Sequence, residues 1–165
     1  MANNKLIRPL FWSLLGAFIL VFISIFAMNP PIRTMLNDLY PDETVAAIVS
    51  IFFRLSGLLF FALGLALLIL TIRTRASLNR PLKRFLLLTS SSAVGVFASI
   101  LLHGMVYGLF ILLLGDDFWN RAGLEDEPFF FMMGLFICPI AYLVGTIGSI
   151  VLIIRRKKQK IDDLG

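Results

Sequence analysis

The charged residues of this chain change sign from one gap between apolar runs to the next. Four apolar runs span residues 9–28, 45–72, 85–115 and 129–154. Each reaches the roughly 20 apolar residues that a helix needs to cross a hydrocarbon core of about 30 Å. Twelve of the 15 Lys and Arg residues lie before the first run, between the second and third, or after the fourth. The remaining two gaps hold eight of the 10 acids: Asp38, Asp42, Glu43, Asp116, Asp117, Glu125, Asp126 and Glu127. The pattern predicts an integral membrane protein with four spans.

The basic residues also predict an orientation. Lys and Arg remain on the cytoplasmic side of inserted helices, so we expect both termini in the cytoplasm and the two acidic loops outside. A separate expectation, which the charges do not decide, is the bacterial inner membrane as the location. The net charge of +5 is therefore assigned to topology and to contact with anionic membrane lipid. It is not a signal for nucleic acid. The expected partners are lipid and other membrane proteins or a second copy of the chain.

The predicted fold is all-α. Backbone groups inside a bilayer must be satisfied within the segment, and runs of this length are helices rather than barrel strands. We expect residues 1–165 to form one domain, an antiparallel four-helix bundle. Short amphipathic segments are predicted in the outer loops, because apolar residues recur there at helical spacing or cluster: Ile32, Met35, Leu36 and Leu39 in the first, and Phe118, Trp119 and Leu124 in the last.

Small residues recur along three of the runs. Helices in lipid pack closely where side chains are small, so these positions are predicted to form the helix-packing seam: Gly57, Gly64, Gly95, Ala141, Gly145 and Ser149. Pro139 lies inside the fourth run and predicts a kink, because it removes one backbone hydrogen bond and frees the carbonyl of Leu135.

Arg54 and His103 are the polar residues within the spans that most suggest a ligand site. At about 1.5 Å per residue, both lie at a similar depth, near the outer surface, with Tyr107 one turn further out. A charge inside a span is a candidate functional group. The competing interpretations are an arginine that reaches the interface and a hydrogen-bonded packing histidine. The predicted ligand-binding set is Arg54, His103, Tyr107, Ser99, Cys138 and Tyr142.

Most catalytic and metal-binding arrangements are excluded by residue counts. One His and one Cys cannot build a His/Cys zinc site, and no motif of a hydrolase, zinc protease or phosphate-binding loop occurs. Haem ligation by His103 would require a methionine or a second chain as the other ligand. We therefore expect no metal and no cofactor, with haem at His103 as the alternative. Whether the protein is an enzyme stays open, and a non-catalytic role is favoured.

One motif resembles a known family. Within the second run, Arg54 is followed by Gly57, Phe60 and Gly64, and this R-x-x-G-x-x-F-x-x-x-G pattern is similar to a helix of DoxX-like small four-helix bacterial membrane proteins. The resemblance covers about the first half of the chain. The longer third run and the acidic last loop depart from it. It implies a family associated with membrane oxidoreductase complexes, and it singles out Arg54, Gly57 and Gly64.

Three functions are compatible with these features. The first is a non-catalytic accessory or partner-binding subunit of a membrane complex. The second is a transporter, channel or binder of lipophilic ligands, with an outward-facing pocket around Arg54, His103 and Tyr107. The third is an electron-transfer anchor associated with haem or quinone through His103.

Overall fold

The protein is helical throughout the part that the structure describes. The structure is a computed structural model that describes residues 3–37, 42–74, 79–115, 117–123 and 128–162, and these residues form helices, turns and no strand. In chain order the helices are α1 (Asn3–Met28), α2 (Pro30–Asn37), α3 (Asp42–Arg73), α4 (Arg80–Leu114), α5 (Phe118–Arg121), α6 (Pro128–Met132), a π-helical turn (Met133–Ile137) and α7 (Cys138–Asp162). The all-α prediction is confirmed.

Four helical segments are long and apolar enough to cross a membrane, as predicted: Leu6–Met28, Glu43–Arg73, Arg80–Leu114 and Pro128–Arg155. The helices continue past the predicted apolar runs into polar sequence. Thus α4 begins at Arg80 rather than residue 85, with Pro81 in its first turn, where a missing N–H and a fixed φ favour helix initiation.

The chain divides into two compact units, Met1–Leu70 and Thr71–Gly165. The first contains α1, α2 and most of α3, and the second contains α4 to α7. The single domain of four bundled helices stays a prediction.

In the first unit, α1 and α3 pack against each other in opposite directions. The Phe18 and Phe60 rings lie 5.9 Å apart, and the hydroxyls of Ser24 and Ser56 lie 3.5 Å apart in a buried position. The partner's number falls as the α1 number rises, which makes the pair antiparallel. Each serine also donates to a carbonyl of its own helix, so neither hydroxyl costs an unsatisfied polar group.

The connection from α1 to α2 is a bend at Asn29. Its side chain donates to the Ile25 carbonyl at 3.1 Å, and its own carbonyl accepts the N–H of Arg33 at 3.0 Å. The predicted amphipathic segment is therefore the separate helix α2. Met35 is exposed and Leu36 is half-buried, while Leu39 lies outside the described residues.

In the second unit, α6, the π-helical turn and α7 form one continuous helical segment that packs along α4. The π-helical turn immediately precedes Cys138 and Pro139. Cys138 N–H reaches back five residues to the Met133 carbonyl, in the wider π geometry. Pro139 has no N–H to donate to the preceding turn, and the wider π-helical turn lies directly before it. The helix is therefore irregular where the sequence predicts a kink.

Candidate functional site

The closest contact between long helices in the second unit is the face that α4 shares with the segment 134–148, which we call the glycine seam. A Cβ added at Gly145 would lie 2.6 Å from Thr89 Oγ1, 2.7 Å from Thr89 N and 3.0 Å from the Phe85 carbonyl oxygen. Any side chain larger than the hydrogen of glycine would overlap α4 here, so Gly145 is what allows the two backbones to approach this closely.

Three further glycines continue the glycine seam. Gly148 faces the ring of Phe85, Gly134 would place a Cβ 3.1 Å from Ser99 Cβ, and Gly95 would place one 2.9 Å from Cys138 Sγ. The α4 numbers rise from 85 to 99 as the partner's numbers fall from 148 to 134, so the helices are antiparallel. The predicted small residues Gly95 and Gly145 both lie in this contact.

Three of the predicted ligand-binding residues are buried beside the glycine seam. Ser99 is 6% exposed, Cys138 is 7% exposed and Tyr142 is 1% exposed. Ser99 and Cys138 lie against Gly134 and Gly95 across the helix pair. These contacts hold the two helices together, and the ligand-binding role of the three residues stays a prediction.

The remaining predicted packing residues differ in how deeply they are buried. Ala141 is half-buried and Ser149 is buried. Ser149 Oγ has no hydrogen-bond partner among the described residues. In the first unit Gly64 is buried, whereas a Cβ at Gly57 would meet no described atom within 4 Å. Gly57 therefore has room for a side chain, and its part in packing stays a prediction.

The contact between Gly95 and Cys138 predicts that substitutions at these two positions affect stability in a coupled way. Gly95→Ala should lower the melting temperature of the protein in mild detergent, because the new methyl group overlaps Sγ. Cys138→Ala removes that sulfur and leaves Cys138 Cβ at 4.0 Å. The double variant should therefore recover most of the loss, with a coupling energy of about 1–2 kcal/mol. Additive losses in the double variant would contradict this contact.

The end of α4 opposite Arg80 carries an aromatic cluster, formed by Tyr107, Phe110, Phe118 and Trp119. Trp119 of α5 stacks on Tyr107 with ring centroids 5.7 Å apart and 12° between planes. Phe110 contacts both Phe118, at 5.0 Å, and Trp119, at 5.4 Å. Such pairs contribute about 0.5–1.5 kcal/mol each beyond simple burial, so the last loop is anchored onto α4.

Within this cluster Trp119 is 7% exposed, and its Nε1 has no acceptor among the described residues. Arg121 donates to the Leu114 carbonyl at 2.8 Å, which holds the turn onto the end of α4. The sequence predicts a short amphipathic segment that includes Phe118 and Trp119, and these two residues begin the helix α5. Leu124 lies outside the described residues. Tyr107, predicted to line a pocket, has one ring face covered by Trp119.

The two remaining ligand-site residues lie in different units. His103 is half-buried on α4, with its ring 5.9 Å from that of Phe131. Arg54 is exposed on α3 in the first unit. A pocket that joins Arg54 to His103 and Tyr107 therefore stays a prediction. Among the described residues, no group of three or more His, Cys, Asp or Glu side chains is placed to hold a metal ion.

Sequence reasoning passed over several residues that the structure brings together. Phe85, Thr89, Gly134 and Gly148 all lie in the glycine seam. A signal was present in the fourth run, where positions 134, 138, 141, 145 and 148 alternate steps of four and three, the spacing of two helices that stay in contact over several turns.

Comparisons of the chain with protein-family models, with curated proteins and with solved structures found no match. The resemblance to DoxX-like proteins therefore depends on the motif around Arg54 alone.

Proposed function

We propose that this chain is a non-catalytic, partner-binding subunit of a complex in a bacterial plasma membrane, with both termini in the cytoplasm. The single observation that carries the proposal is the environment of the Arg54 side chain. It is a charged side chain in an apolar span, it is exposed, and it has no salt bridge or hydrogen bond among the described residues.

The surroundings of Arg54 are apolar and exposed. One helical turn before and after Arg54, on the same side of α3, lie Ile51 and Leu58, which are 56% and 54% exposed. This surface, which we call the Arg54 face, suits the lipid core or an apolar helix of another protein. The guanidinium suits neither lipid tails nor aliphatic side chains, because a charge without a partner in such surroundings is costly.

A carboxylate on a helix of another membrane protein would satisfy this charge. Arginine presents two parallel N–H donors that match a carboxylate, and the apolar residues around it would pack against the same helix. Arg54 lies about 18 Å along α3 from Asp42. The competing anion is a phosphate of the outer lipid surface, toward which a long arginine side chain can extend. The filled cluster around Tyr107 and the buried Cys138 favour the partner-binding proposal over an open ligand pocket.

Site-specific cross-linking tests this proposal. A photoreactive residue in place of Leu58 should yield a discrete cross-linked protein in cell membranes. Arg54→Leu should abolish that product, and Arg54→Lys, which keeps the charge, should retain much of it.

A photoreactive residue in place of Leu112, on α4 and 80% exposed, is the control, and its cross-linked products should not change with Arg54→Leu. Cross-links from the Leu58 position to lipid only, or a protein product that survives Arg54→Leu, would overturn the proposal.

A further inference from the structure

The start of α4 carries an open groove that is lined by basic residues at one end and by apolar residues at the other. The groove has a volume of about 420 Å³ and is lined by Arg80, Pro81, Arg84, Phe85 and Leu88. The two arginines are one helical turn apart, and Phe85 and Leu88 continue the same face into the span. One half of the groove is therefore cationic and the other is apolar.

The two guanidinium groups have no counter-ion in the described structure. Arg80 and Arg84 are both exposed, and neither forms a salt bridge or hydrogen bond with a described residue. Like charges at this spacing repel each other on a helix. An anion held between them would remove the repulsion, and arginine pairs with phosphate through two parallel hydrogen bonds.

The apolar half of the groove is held in place by the glycine seam. Phe85 is half-buried, and its ring lies against Gly148, where even a methyl group would overlap it. Leu88 is also half-buried, one turn beyond Arg84. From Arg80 to Leu88 the groove extends about 12 Å along the helix axis, from the polar start of α4 into its membrane-spanning part.

We propose that this groove is a binding site for an anionic phospholipid, with the phosphate between Arg80 and Arg84 and the start of an acyl chain against Phe85 and Leu88. Clusters of basic residues immediately cytoplasmic of a membrane helix attract anionic headgroups, and the inference rests on the proposed function for the cytoplasmic location of this end of α4. A free phosphate ion would use the arginines and leave the apolar half in contact with water. A lipid satisfies both halves.

The test is a titration of the purified protein in mild detergent with fluorescent phosphatidylglycerol. Each basic residue near an anionic surface gives about a fivefold gain in binding. Arg80→Gln/Arg84→Gln should therefore bind roughly 30-fold more weakly. Phosphatidylcholine with the same chains should bind more weakly than phosphatidylglycerol to the natural protein, and inorganic phosphate should displace the lipid only at a far higher concentration than the lipid's own.

Arg155→Gln is the matched control, because Arg155 is an exposed arginine near the end of the last span and outside the groove. It should keep the natural affinity. Arg84→Lys provides a variant that keeps the charge and loses the paired donors, and it should show a partial loss. Equal weakening by Arg155→Gln, an unchanged affinity in the double variant, or inorganic phosphate that competes as strongly as the lipid itself would each overturn the proposal.

Discussion

Gly145→Ala should destabilise the protein more than the same change at any other glycine of the glycine seam. The new Cβ would lie 2.7 Å from Thr89 N and 3.0 Å from the Phe85 carbonyl oxygen, and both are backbone atoms of α4 that no side-chain rotation can move. Relief therefore requires α4 and α7 to separate along the seam. We expect a loss of about 2–3 kcal/mol in the free energy of unfolding, measured as a lower melting temperature in mild detergent.

The matched control for Gly145 is Gly104, which lies on α4, is exposed, and has no described atom within 4 Å of an added Cβ. Gly104→Ala should leave the melting temperature unchanged or raise it, since alanine favours a helix over glycine by up to about 1 kcal/mol. Gly145→Leu should prevent the packing of α4 on α7 and reduce the amount of protein that accumulates. Equal tolerance at Gly145 and Gly104 would contradict the glycine seam.

Labelling of single cysteines with a membrane-impermeant maleimide should give an all-or-none result that reports the proposed orientation. With Cys138→Ala as the background, Met35→Cys and Asn120→Cys should be labelled in intact cells. Asn79→Cys should be labelled only after the membrane is opened. All three positions are exposed, so a difference in labelling reflects the side of the membrane on which each residue lies.

The proposed orientation depends on the basic residues, and replacing them provides a second test. Replacing Arg80, Lys83 and Arg84 by glutamine, together with added lysines beside Asn120, should weaken or reverse the labelling difference between positions 79 and 120. Labelling of Asn79→Cys in intact cells with the natural basic residues in place would contradict the orientation. The four helices would remain, because their length and hydropathy do not depend on direction.

The predictable part of this fold follows from local chemistry. Four runs of apolar residues are long enough to cross a bilayer, and each became a helix because only internal hydrogen bonds satisfy a backbone in such surroundings. Local residue types also marked finer features. The amphipathic spacing of Ile32, Met35 and Leu36 marks α2, and Pro139 marks the irregular helical turn directly before it.

The number, type and approximate bounds of the helices thus follow from the sequence alone. Which residues touch was decided by the tertiary structure. A stripe spaced strictly by four, such as Ser91, Gly95 and Ser99, rotates by about 40° at each step, so Ser91 is exposed while Gly95 and Ser99 contact the opposite helix. On the other side of the glycine seam, positions 134 to 148 instead alternate steps of four and three. Which α4 residues lie opposite these glycines, here Thr89 and Phe85, depends on how far the two helices are shifted along each other. The sequence of one helix does not specify that shift.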